Sequence, residues 1–291
     1  MRLFFTLVAA AGLAGCTAAP SSLAPTPILA SIETETGGRL GVSVVGPDGQ
    51  SLLAYRDDER FATCSTFKTL LAAMVLDSVQ QGDLSLDQQM PFTRADLVSY
   101  SPYVEKFSEA GAVSVGGAAG AAVMLSDNSA ANLLYGQVGG PGTLFQWLRT
   151  NGDTITWPSR LEPGLNENRP GDRRDTTSPA AMAQTVRRLL TGDRLNAGSK
   201  AMLEGWLRAS ETGKVRIRAG LPAKWTVGDK TGTCGGANPS YNDVAVVRPG
   251  AQTGPYIISV YLDRPSVEPA AADAAIARVA ALAAGRIEQA R

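Results

Sequence analysis

The chain has 291 residues, 44% of them hydrophobic, with 27 basic and 27 acidic side chains. That is enough for one large or two ordinary domains with a real core, and balanced charge without basic or acidic blocks argues against a nucleic-acid or polyanionic partner. The absence of any histidine excludes Ser-His-Asp and Cys-His catalysis and His-ligated zinc, so a nucleophile here must be activated by lysine, a carboxylate or a cation-rich setting.

The N-terminus, MRLFFTLVAAAGLAGC, joins an early Arg2 to an apolar run too short to span a membrane, and reads as an export signal over 1–16. Its end, Leu13-Ala14-Gly15-Cys16, resembles the lipobox of bacterial lipoproteins, in which the cysteine is acylated. Cleavage after Ala19 is the alternative. The Pro/Ser/Ala-rich stretch 17–26 suits a flexible tether. Cys16 is therefore either lipidated or removed, which leaves Cys64 and Cys234 as a candidate pair in an oxidising compartment.

Residues 27–36 read as a short helix stopped by Gly37-Gly38. The run LGVSVVGPDGQSLLAY (40–55) predicts two strands around a Pro47-Asp48-Gly49 turn. From Phe67 the period changes: Leu70, Leu71, Met74, Val75 and Val79 follow at helical spacing up to Gly82. Segments 126–138, 142–150, 178–190 and 199–210 each carry an apolar helical stripe. A polar stretch, 160–177, interrupts them, and an ion pair between Arg160 and Asp175 is expected to close it into a compact loop. Strand character returns at 224–233, 242–249 and 255–263, before an alanine-rich helix over roughly 268–288. Two strands early, three late and helices between suggest a discontinuous α/β domain (27–62 and 211–291) with a helical domain inserted (63–210).

Ser65 and Lys68, in ATCSTFKTLL, stand one helical turn apart at a helix N-terminus. There a neighbouring amine can take the hydroxyl's proton and backbone donors can stabilise an oxyanion. The pattern S-x-x-K alone arises about once by chance in a chain this long. Here Ser126-Asp127-Asn128 and Lys230-Thr231-Gly232 follow it in order, and the three motifs together mark class A β-lactamases and penicillin-binding proteins. Within the polar loop, Arg160-Leu161-Glu162-Pro163-Gly164-Leu165-Asn166 matches the R-x-E-x-x-L-N pattern of the hydrolases. The chain thus resembles a class A serine β-lactamase over about 27–291.

That resemblance implies an α/β fold in which a five-stranded antiparallel sheet is flanked by helices, an all-helical domain is inserted, and the active site lies at their interface. It implies that Ser65 is acylated, that Lys68 and Glu162 share the proton work of acylation, and that Glu162 drives deacylation with Asn166 positioning the water. Ser126 then protonates the departing ring nitrogen and Asn128 holds the acyl-amide side chain. Lys230, Thr231 and Thr233 face the substrate carboxylate, and the N–H groups of Ser65 and Thr233 form the oxyanion hole. Tyr100 matches a tyrosine that walls the pocket, an ordinary buried aromatic being the alternative.

In KVRIRAG a strand-like alternation puts Arg216 and Arg218 on one face. Either is then a candidate to support the carboxylate site, and resemblance to carbapenem-hydrolysing members favours Arg216. The same members and their extended-spectrum relatives carry a cysteine pair at the positions of Cys64 and Cys234. The resemblance therefore implies a disulfide and a broad spectrum with carbapenems among the candidate substrates. No cofactor or metal is expected, and the protein is expected to be a monomeric, exported enzyme of the periplasm. A penicillin-binding D,D-peptidase and a non-catalytic β-lactam sensor are the competing readings; neither needs Glu162.

Overall fold

The computed structural model describes residues 27–251 and 253–291. The export signal, the tether and Cys16 lie outside the described residues. In chain order the elements begin with α1 (Pro27–Thr36), β1 (Arg39–Val45), β2 (Ser51–Tyr55) and β3 (Phe61–Ala62), and continue with α2 (Phe67–Gln81), β4 (Gln89–Pro91) and β5 (Ala112–Ser114). Next come α3 (Val115–Met124), α4 (Asn128–Val138), α5 (Pro141–Thr150), β6 (Thr176–Thr177), α6 (Pro179–Thr191) and α7 (Ala197–Arg208). The last part holds the short α8 (Ile217–Gly220), then β7 (Thr226–Cys234), β8 (Ser240–Arg248), β9 (Tyr256–Asp263) and α9 (Pro269–Gln289).

The long strands form one antiparallel sheet in the order β2-β1-β9-β8-β7. Period-two alternation sends Val42, Val44, Ala245, Val247, Ile258 and Val260 to one face, where Leu29 and Ile32 of α1 and Ile276 and Val279 of α9 cover them. Val244, Val246, Ile257 and Tyr261 point the other way, into the core shared with α2 and α6. Both faces are covered, so β9 is buried along its whole length. Each Val, Leu or Ile so enclosed contributes about 1.5–3 kcal/mol relative to exposure.

Within the helical part α2 is the central element, with every residue from Phe67 to Asp77 buried. Its end is set by Gly82 at φ 85°, whose N–H bonds back to Ser78 and Val79 carbonyls. The 160–177 loop closes as expected: Arg160 Nε lies 2.5 Å from Asp175 Oδ2, and Asp175 Oδ1 accepts from the Ser159 and Arg160 amides at 2.7 and 3.0 Å. Leu165 plugs the loop into the core, and the β3–β6 pairing ties its end beside the start of α2. Among the described residues no helix is long and apolar enough to cross a membrane.

Two features depart from the sequence expectations. α3 went unread, because VGGAAGAAVM is apolar on every side and carries three glycines, so no stripe distinguishes it. Residues 214–220 form no strand: Arg216 precedes the single turn of α8, and Arg216 and Arg218 are directed to different partners.

Candidate active site

A 3₁₀ turn, Cys64–Thr66, leads into α2 and places Ser65 at the mouth of the helix. Its Oγ accepts a hydrogen bond from Lys68 Nζ, one turn on, at 3.0 Å. Cys64, at φ 42°, turns its side chain back to form the disulfide with Cys234, the last residue of β7, their Cα atoms 5.6 Å apart. β7 can approach this turn closely because position 232 is glycine. A Cβ there would meet the Thr63 carbonyl oxygen at 2.7 Å.

Lys68 is fully buried, and its three ammonium protons have three acceptors: Ser65 Oγ, the Ser126 carbonyl at 2.8 Å and Asn128 Oδ1 at 2.5 Å. Glu162 Oε1 stands 3.0 Å from the same nitrogen, an ion pair off the hydrogen-bonding direction, so that oxygen receives no hydrogen bond from the protein. Oε2 accepts from Asn166 Nδ2 at 2.6 Å. Burial lowers the Lys68 pKa, with the charge of Glu162 opposing it.

Across the cleft Ser126 sits at φ 61°, just before α4, and its Oγ accepts from Lys230 Nζ at 3.0 Å. Lys230 is fully buried on β7 and also donates to the Thr231 carbonyl at 2.9 Å. Burial, then the like charge of Lys68, pushes its pKa down to about 7, against the pull of Asp229 and Asp243. Asp127 caps α4 by accepting from Ala130 N, while its other oxygen accepts from the amides of Tyr103 and Val104 at 2.8 and 3.0 Å. That buried carboxylate pins the segment carrying Tyr100, which is 61% exposed rather than buried.

The cleft between these elements encloses about 340 Å³. Ser65, Ser126, Asn128 and Tyr100 line one side and Thr231, Thr233 and Arg216 the other, with Asn166 at its edge. Lys68, Glu162 and Lys230 stand behind the hydroxyls, out of the lining. Arg216 donates to Thr233 Oγ1 at 2.9 Å and to the Gly232 and Asn242 carbonyls, and pairs with Asp273 at 2.6 Å. Arg218 instead pairs with Asp229, below the sheet edge. The expected shared face is therefore corrected: only Arg216 reaches the cleft.

Two residues at the site were not read from the sequence. Asn132 clasps Glu162 through both main-chain groups, accepting from its N–H and donating to its carbonyl, each at 2.9 Å. Its spacing of four from Asn128 puts both on one helix face, a signal that could have found it. Thr212 Oγ1 lies 2.7 Å from Thr231 Oγ1 and lines the cleft; it falls in no motif.

The profile of the Beta-lactamase enzyme family matches residues 25–287. β-Lactamase SME-1 of Serratia marcescens is 40% identical over 253 residues, 87% of this chain and 85% of that protein. β-Lactamase L2 of Stenotrophomonas maltophilia is 41% identical over 80% of this chain and 76% of its own. Among solved structures, the class A β-lactamase of the last common ancestor of Gram-negative bacteria superposes with a TM-score of 0.85 at 48% identity, covering 89% of this chain and 97% of that one. A β-lactamase from Xanthomonas campestris pv. campestris gives 0.85 at 41% identity, over 89 and 96%. A family match across nearly the whole chain, and a fold shared at this identity, follow the serine, lysine and glutamate geometry described above: the chain belongs to the class A serine β-lactamases and hydrolyses β-lactams.

Proposed function

We propose that Ser65 attacks the lactam carbonyl, its proton leaving through the Lys68–Glu162 pair. Its acyl carbon–oxygen bond forms as the ring carbon–nitrogen bond breaks, and Ser126, backed by Lys230, hands a proton to the ring nitrogen. The N–H groups of Ser65 and Thr233 hold the oxyanion. Glu162 then takes a proton from the water that cleaves the ester, with Asn166 orienting it. The observation that carries this reading is the open lone pair: Glu162 Oε1, buried and beside Lys68, accepts no hydrogen bond from the protein, as a base requires.

Substrate binding follows from the remaining donors. One Asn128 amide proton is held by the Ser99 carbonyl at 2.8 Å, which leaves the other for the acyl-amide side chain. Lys230, Thr231 and Thr233 receive the carboxylate, with Arg216 holding the Thr233 hydroxyl in place, and Tyr100 walls the entrance. Carbapenems are candidate substrates of a broad spectrum, for which the Cys64–Cys234 bridge, by fixing the nucleophile's turn to the strand of Thr233, is permissive rather than sufficient. The 27–62 plus 211–291 part and the 63–210 part act as two domains with the site at their junction.

The enzyme is exported to the periplasm as a monomer, tethered through lipidated Cys16. A Cys16→Ala variant that partitions into membranes like wild type would refute the tether. A chromogenic cephalosporin tests the hydrolytic reading: many turnovers per enzyme are expected, whereas one stoichiometric burst would support a peptidase or sensor. Kinetics on a penicillin, an oxyimino-cephalosporin and a carbapenem measure the breadth.

A further inference from the structure

A second depression, of about 380 Å³, lies on the far side of the 160–177 loop, where that loop meets the ends of β1 and β9. Five guanidiniums line it: Arg169 and Arg173 from the loop, and Arg39, Arg60 and Arg264 from the strands and their connections. Two carboxylates share the lining, Asp172 and Asp263, and two more pair with its arginines from outside it, Glu59 with Arg39 at 2.8 Å and Glu167 with Arg169 at 3.1 Å.

Both lining carboxylates are already occupied. Asp263 accepts from Arg39 and Arg264 at 3.2 and 3.1 Å and from Asn168 Nδ2 at 2.8 Å. Asp172 pairs with Arg174 at 2.8 Å and faces Arg160 at 3.9 Å. Among the described residues, neither Arg60 nor Arg173 forms an ion pair. Arg60 donates only to Thr176 Oγ1 at 3.0 Å. Its partial burial, then the neighbouring Arg173 and Arg149 charges, depress its pKa, so the cluster opposes its own charge. Two guanidinium forks that line one cavity without a carboxylate partner among the described residues, Arg60 and Arg173, suit a bidentate oxyanion.

We propose that this depression binds a small multivalent oxyanion of the phosphate class, bridging Arg173 of the loop to Arg60 of the scaffold. The loop is the segment that carries Glu162 and Asn166, so a bound anion clamps it against the sheet. The site does not depend on any residue assigned to the hydrolytic reaction.

Titration calorimetry on the full chain tests this, with inorganic diphosphate and orthophosphate as probes and sodium chloride at matched ionic strength as control. Diphosphate is expected to bind saturably and more tightly than orthophosphate, and to slow amide exchange across 160–177. Arg173→Glu, at an exposed side chain, and Arg60→Gln should each weaken diphosphate on the order of tenfold or more, as loss of a charge-assisted hydrogen bond does. Circular dichroism establishes that both variants fold. A heat signal reproduced by sodium chloride, or affinity unchanged in both variants, overturns the proposal. Capture by phosphatidylglycerol vesicles without binding of free diphosphate would assign the patch to a lipid surface and overturn it equally.

Discussion

Lys68 Nζ and Glu162 Oε1 stand 3.0 Å apart, both side chains fully buried, while Ser65 Oγ, the Ser126 carbonyl and Asn128 Oδ1 crowd the same ammonium at 3.0, 2.8 and 2.5 Å. The pair is ionic and poised. Removing one partner leaves the other charge buried, which costs about 3–5 kcal/mol. Lys68→Ala is therefore expected to lower stability in urea by that order and to slow acylation by about 10²–10⁴-fold, measured by stopped flow. Unchanged acylation would contradict the role of Lys68.

The pKa of Lys230, about 7, sets an alkaline limit in the free enzyme. Below that value the side chain is charged and attracts the substrate carboxylate. As pH rises through it the charge is lost, so KM for a penicillin should rise while kcat changes less. Lys230→Arg, which keeps its charge, should lose that limb. A wild-type KM that stays flat from about pH 6 to about pH 9 would contradict the carboxylate role.

The Cys64–Cys234 bridge closes a loop with a sequence separation of 170. Chain entropy puts its stabilisation at about 5 kcal/mol at most. Replacing both cysteines by serine should lower the urea midpoint, and should lower carbapenem turnover more than penicillin turnover, since it frees the turn of Ser65 from Thr233. An unchanged midpoint would show that packing alone holds the two elements together.

Asp175 accepts from two amides and from Arg160, and is itself buried. Asp175→Ala leaves Arg160 and both amides without that partner, so about 3 kcal/mol of stability should be lost. Exchange across 160–177 should accelerate, and deacylation should fall more than acylation. Loss confined to acylation would contradict the separation of roles.

Much of this could be read in the sequence because local chemistry set it. The Pro47-Asp48-Gly49 turn, the Gly82 stop of α2 and the Arg160–Asp175 closure each rest on residues near in sequence or on charge complementarity. What escaped was decided by distant partners. α3 has no polar face to give it a period, since seven of its ten residues are buried and the other three are glycine or methionine. Arg216 takes its direction from the Gly232 and Asn242 carbonyls and Asp273, none adjacent to it, so alternation along KVRIRAG misled. Asp127 lay within a recognised motif, but its hold on Tyr103 and Val104 becomes visible only once α4 is placed.

The central claim is that Glu162 frees the enzyme from its ester. Glu162→Ala, mixed with a penicillin and followed by intact-protein mass spectrometry, should carry the added mass of one penicillin on Ser65, with turnover reduced by about 10²-fold or more. A variant that remains unmodified and hydrolyses at the wild-type rate would contradict the account.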